Sequence, residues 1–89
     1  MSEAHPLPFP TEVWAGIVAK LKLAPQQTRI VELILRGMKD KQIASELEIS
    51  VPTVRTYLGR VFVRLGVRDR VELILNIVAR VHAPGDRRS

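Results

Sequence analysis

The stretch KDKQIASELEISVPTVRTYLGRVFVRLGVRDR, residues 39–70, decides the fold. It divides into two short helical patterns around a tight turn. In the first, Ile43, Ala44 and Leu47 fall on one side of a helix running from about Lys41 to Leu47, with Asp40 placed to cap it. Glu48, Ile49 and Ser50 then leave only a few residues for a turn. Ser50 is a suitable N-cap for a second helix, Val51–Leu65, which tolerates Pro52 in its first turn. There Val54, Leu58, Val61, Phe62 and Leu65 recur at 3.6-residue spacing and share one arc.

Turning about 100° per residue, that helix points Thr53, Thr56, Arg60 and Val63 away from its apolar arc, with Arg55, Tyr57 and Arg64 on the flanks. Between Pro52 and Arg70 lie five arginines (Arg55, Arg60, Arg64, Arg68, Arg70) and a single acid, Asp69. An apolar underside beneath an arginine-bearing face suits a helix set into the major groove of DNA. Thr56 and Arg60 can reach base edges, and Arg55 either a guanine or a phosphate. Gly59 also lies towards the open face, at a cost of about 1 kcal/mol against alanine in a helix interior. Two explanations are open: its missing side chain lets the backbone approach DNA, or it relieves crowding.

Working outward, Thr11 can cap an earlier helix over residues 11–22 whose stripe is Val13, Trp14, Ile17, Val18 and Leu21. Pro25 opens the next helix, with Ile30, Val31, Leu33, Ile34 and Leu35 as its apolar positions and Gly37 as a left-handed stop. Gly66 ends the groove-facing helix. Asp69 and Glu72 have capping-box spacing at the head of a last helix bearing Val71, Leu73, Ile74, Ile77, Val78 and Val81. Pro84-Gly85 stops it, and the tail to residue 89 reads as disordered. Pro6, Pro8 and Pro10 make residues 1–10 an extended arm. No strand pattern occurs, so the expected class is all-α.

The 89 residues allow one small core. A net charge of +5 fits solubility as well as it fits a partner, and it is the arginine cluster between Pro52 and Arg70 that favours an anionic partner, nucleic acid being the commonest. With no cysteine, thiolate metal sites and cysteine nucleophiles are excluded. His5 and His82 stand near opposite ends, which argues against a metal or catalytic pair, and no glycine-rich phosphate loop is present. The reading is therefore a non-enzyme without cofactor, metal or small-molecule site. No apolar run reaches the roughly 18–20 residues of a membrane span, so a cytoplasmic protein is expected.

At fixed offsets across several helices, the residues resemble the LuxR/FixJ (GerE-like) helix-turn-helix domain of bacterial transcription regulators. The matching positions are Leu23, Pro25, Gly37, Lys41, Ile43-Ala44, Leu47, Ile49-Ser50, Thr53-Val54-Arg55 and the string Leu65–Leu73. Departures are Ala24 and Gln27 where a Thr-x-x-Glu box is usual, Lys39-Asp40-Lys41-Gln42 for Ser-Asn-Lys-Glu, and Tyr57 and Gly59 in the groove-facing helix. The resemblance implies a four-helix unit over residues 23–82, with residues 11–22 as an additional helix. It implies base reading by Arg55, Thr56, Gly59 and Arg60. Phosphate contacts would come from Lys41 and Thr53, joined by the flanking Tyr57 and Arg64. It further implies a homodimer through Val71, Ile74, Ile77, Val78 and Val81 of the last helix. Most relatives carry a receiver or sensing domain upstream, so this chain resembles a stand-alone effector or a fragment of a larger regulator. Contact with RNA polymerase would leave no local signature. Two other readings stand beside it: a protein-interaction module that docks a partner through the Trp14 helix, and a promoter-reading module like that of a sigma factor. The Leu-Gly-Val-Arg-Asp-Arg string argues against the latter.

Overall fold

The computed structural model describes residues 5–82, which form five helices and, among the described residues, no strand. They are α1 Thr11–Leu21, α2 Pro25–Leu35, α3 Asp40–Leu47, α4 Val51–Leu65 and α5 Arg70–His82. The all-α expectation holds. Residues 1–4, the Pro84-Gly85 stop and the tail lie outside the described residues.

Apolar periodicity places each helix. Ile30 and Val31 of α2, Ile43 of α3, Val54 and Val61 of α4, and Leu73 and Ile77 of α5 are completely buried in one common core. Helices α2, α3 and α4 pack on one another, and α1 lies along α5. The stripe of α1 is thereby covered within the chain: Trp14, Ile17 and Leu21 are buried, and the Phe9 ring packs against Trp14 at a centroid distance of 6.2 Å. The arm is docked over its described part, with Leu7 and Phe9 against the core and the His5 N–H donating to the Arg36 carbonyl at 2.8 Å.

Three helix ends share one device, in which a left-handed residue turns the chain and the next, apolar residue folds back. After α2 the Gly37 and Met38 amides donate to Ile34 and Leu33. After α3 the donors are Glu48 and Ile49, and after α4 they are Gly66 and Val67. Gly37 and Gly66 adopt the positive φ that glycine tolerates, at 87° and 70°. Glu48 makes the same turn with a side chain, at φ 58°, inside the helix-turn-helix. A left-handed L-residue costs roughly 1–2 kcal/mol and a glycine loses more chain entropy. Glu48→Gly is therefore expected to raise stability by about 0.5–1 kcal/mol in urea denaturation. A decrease would show that the glutamate side chain does more than tolerate the turn.

The helix starts depart from expectation at four points. Thr11 is already helical: Pro10, held extended, offers its carbonyl to Val13 and Trp14, and no side chain caps α1. Ala24 has no acceptor, yet half of the capping box survives because Gln27 Oε1 accepts the Ala24 N–H at 3.3 Å. Gln42 does the same for Lys39, and α3 begins at Asp40, one residue from the expected start. Asp40 is not its cap; its carboxylate is drawn to two arginines instead. At α5, Asp69 Oδ1 accepts from Glu72 N at 2.9 Å as expected, whereas Glu72 reaches past Asp69 to the Arg68 N–H at 2.8 Å.

Candidate nucleic-acid interface

Helix α4 is held at its start by Ser50, whose Oγ accepts the Thr53 N–H at 3.2 Å and lies 2.8 Å from Thr53 Oγ1. Pro52 has no N–H to offer, and that of Thr53 is taken. A phosphate near this terminus would meet few amides, so its binding falls mainly to side chains. Val54, Leu58 and Val61 point into the core. Opposite them, Thr56, Gly59 and Arg60 are exposed, and Val63 is 84% exposed, the most open large apolar side chain among the described residues.

Three of the four candidate base-reading residues, Thr56, Gly59 and Arg60, thus share one outward face. Arg55, at 70% side-chain exposure, flanks it on the side towards α3. Thr56 Oγ1 donates back to the Pro52 carbonyl at 3.0 Å, which leaves its methyl and an oxygen lone pair outward. The Arg60 guanidinium lies 5.9 Å from the centroid of the half-buried Tyr57 ring, within cation–π range. A Cβ built on Gly59 meets nothing within 4 Å. Crowding inside the fold is therefore not the reason for glycine here. Gly59→Ala is expected to stabilise the domain by about 0.8–1.0 kcal/mol, the helix propensity difference, as a rise in urea midpoint at unchanged m-value. No stabilisation would show that the glycine relieves a backbone constraint.

Of the candidate phosphate residues, Lys41 on α3 and Arg64 on α4 are exposed, whereas Thr53 and Tyr57 are half-buried. The candidate dimer residues are not placed alike. Ile77 is wholly buried in the chain's own core, and Ile74, Val78 and Val81 are half-buried. Val71 is 65% exposed, and Leu75, absent from the sequence expectation, is 60% exposed. Leu75 carried the same apolar signal as its neighbours, but the expectation took more of the helix's apolar residues than one outer face can present.

Sequence reasoning missed an ionic junction beside α4. Arg70 Nη1 donates to Asp40 Oδ1 at 2.7 Å, Arg70 Nη2 to the Met38 carbonyl at 2.7 Å, and Arg55 Nε to Asp40 Oδ2 at 3.4 Å. Asp40 and Arg70 are thirty positions apart, so no local pattern announces the pair. The Arg70 hydrogen bond is the main cause that holds the Asp40 carboxyl below its ordinary value; burial, the next largest influence, opposes it, and the charge of Arg70 and then the hydrogen bond and charge of Arg55 add to the lowering. Because the folded pKa is the lower one, this junction stabilises the domain above the unfolded value near 3.8 and loses that contribution as pH falls through the folded pKa. Asp40, Arg55, Gly59, Phe62 and Arg70 border a shallow depression of about 280 Å³.

Among the described residues no group of three or more histidine or acidic side chains is placed to hold a metal, and no helix is long and apolar enough to cross a membrane.

The comparisons with known proteins reach the same family that these residues resemble. The family model described as "Bacterial regulatory proteins, luxR family" matches residues 21–77, well over half the chain. The response regulator Rre1 of Synechocystis is 34% identical over 55 residues, 62% of this chain and 24% of its own length. The transcriptional regulatory protein DesR of Bacillus subtilis is 36% identical over 52 residues, 58% of this chain and 26% of its own. The chain thus spans about a quarter of the length of these curated relatives. No solved structure matches significantly. The matched segment holds α2 to α4 and most of α5, and leaves α1 outside except for Leu21. On these grounds the chain belongs to the luxR family of bacterial regulatory proteins.

Proposed function

We propose that this chain is a sequence-specific double-stranded DNA-binding regulator of transcription that inserts α4 into the major groove. The outward face of α4 carries the reading: Thr56, Gly59 and Arg60 stand clear of the core, with Arg55 on the flank. Arg55 and Arg60 would address guanine edges, Thr56 would offer its methyl to a thymine, and Gly59 would let the backbone close on the groove wall. Lys41, Thr53, Tyr57 and Arg64 would lie along the phosphates and set the register. The names of the relatives, a response regulator and a transcriptional regulatory protein, support the same reading. In this reading the chain acts in the cytoplasm without catalysis, and control of transcription rests on occupancy of the site, with RNA polymerase as a further partner.

A homodimer is part of the proposal. Val71 and Leu75 leave an exposed apolar strip on α5, and pairing two copies about a two-fold axis would place two α4 helices on a roughly palindromic site. The alternative of a protein-docking module loses support, because the Trp14 stripe on which it relied is covered by the arm and α5.

Selection of bound duplexes from random DNA tests the proposal. The expected result is a short enriched sequence repeated in inverted orientation, the two copies about one helical turn (~10 base pairs) apart. Recovery of unenriched DNA would remove sequence specificity from the reading, and a single unrepeated half-site would remove the dimer.

A further inference from the structure

We propose that Asp40 is a specificity-determining residue that fixes the direction in which Arg55 meets DNA; this rests on the reading of α4 as the recognition helix. The geometry is a relay with a fixed end and a free end. At the fixed end, the Met38 carbonyl and Asp40 Oδ1 each accept from one terminal nitrogen of Arg70 at 2.7 Å. At the free end, Asp40 Oδ2 faces Arg55 Nε at 3.4 Å. Side-chain exposure is 36% at Arg70, 23% at Asp40 and 70% at Arg55, so the free end is the most open of the three. The carboxylate is thus anchored from behind, and the last group in the chain is the one most open to solvent.

A guanidinium is a rigid planar fork. When its Nε edge faces a carboxylate, the edge formed by the two terminal nitrogens stays available, and that edge reads guanine O6 and N7 together. An exposed pair of this kind adds little to folding. Its value would lie in restricting a side chain that DNA must otherwise immobilise on binding, which corresponds to about a 3- to 10-fold gain in affinity. Most other ion pairs among the described residues join near neighbours in sequence, such as Arg29 with Glu32 or Arg68 with Glu72, and a long 3.9 Å pair of Arg29 with Glu46 links α2 to α3. Asp40 instead joins the starts of α3 and α5 to α4.

The charge of Asp40 makes a second demand. A carboxylate beside a DNA-facing surface repels phosphate, so its removal should not weaken non-specific binding. Discrimination and non-specific affinity should therefore move apart, which loss of a purely structural clamp would not produce.

The test uses the full chain, the duplex obtained by selection, its single-base-pair variants and a scrambled duplex, all at one salt concentration. Arg55→Ala is expected to abolish discrimination at a particular base pair. Asp40→Asn should reduce discrimination about 3- to 10-fold at that same base pair, leave the other positions unchanged, and hold or raise affinity for scrambled DNA. In an Arg55→Ala background, Asp40→Asn should change discrimination no further. Equal weakening on every duplex, unchanged discrimination, or the same loss without Arg55 would overturn the assignment. Failure of the wild-type chain to discriminate among duplexes would overturn the recognition-helix reading as well. Should Asp40→Asn fail to fold, ¹⁵N relaxation of arginine Nε groups in the free wild-type protein decides: Arg55 is expected to be more ordered than Arg64, and equal mobility would refute the tether.

Discussion

Trp14→Ala is expected to cost about 3–5 kcal/mol of folding stability, the usual range for removing a large buried aromatic. Trp14 is 6% exposed and packs with Ile17 and Leu21 into the core that α5 shares, with Phe9 laid against its ring. The side chain leaves a cavity that a short helix, fixed at one end by the prolines of the arm and at the other by the left-handed Lys22, has little freedom to close. A domain of this size holds roughly 5–10 kcal/mol in all, so the variant should be substantially unfolded at moderate urea concentration. Urea denaturation followed by circular dichroism measures the loss. Because α1 lies almost wholly outside the family match, the result bears on whether it belongs to the folding unit. A cost below about 1 kcal/mol would mean that α1 rides on the surface, and the partner-docking reading of Trp14 would regain its footing.

Replacing Arg55 and Thr56 together by alanine is expected to reduce affinity for the selected duplex by about 100-fold while leaving the fold intact. Each well-made base contact contributes roughly 1–3 kcal/mol of discrimination, and both residues are exposed on α4. Neither has an apolar role in the core. Their structural ties are small: the exposed Arg55–Asp40 pair at 3.4 Å and the bond from Thr56 Oγ1 to the Pro52 carbonyl. Affinity for scrambled DNA should fall far less, because Arg60, Arg64 and Lys41 remain. Band-shift titration with both duplexes separates the effects. Full retention of specific binding by a folded variant would remove α4 from the role of reader.

The fold was legible in the sequence wherever burial alone decided it. Val54, Leu58 and Val61 fix the buried side of α4 by spacing, so the opposite side, with Thr56, Arg60 and Val63, followed without knowledge of any neighbour. Gly37 announced its left-handed turn and Gly66 the end of its helix, because glycine adopts that backbone at little cost. Glu48 makes an equivalent turn and gave no sign, since nothing in a glutamate marks a positive φ. The capping of α2 and α3 was obscured for a related reason: at Ala24 and Lys39 the usual acceptor is missing, and only the reciprocal glutamine bond remains. The junction among Asp40, Arg55 and Arg70 was illegible because it is set by how α3, α4 and α5 meet, which no local spacing encodes. The surface of α5 was legible only in part. Its apolar residues serve both the chain's own core and an open strip, and burial sorts Ile77 to the first and Val71 and Leu75 to the second.

The central claim, that the arginine-bearing face of α4 and its surroundings grip duplex DNA, is tested most directly by salt. Affinity for the selected duplex is to be measured between about 50 and 200 mM monovalent salt, since each phosphate neutralised releases counterions and steepens the log–log slope by about 0.9. If Lys41, Arg64 and the neighbouring arginines meet phosphates as proposed, the expected slope is about −2 or steeper for each copy of the chain. An affinity that stays flat across that range would contradict the account.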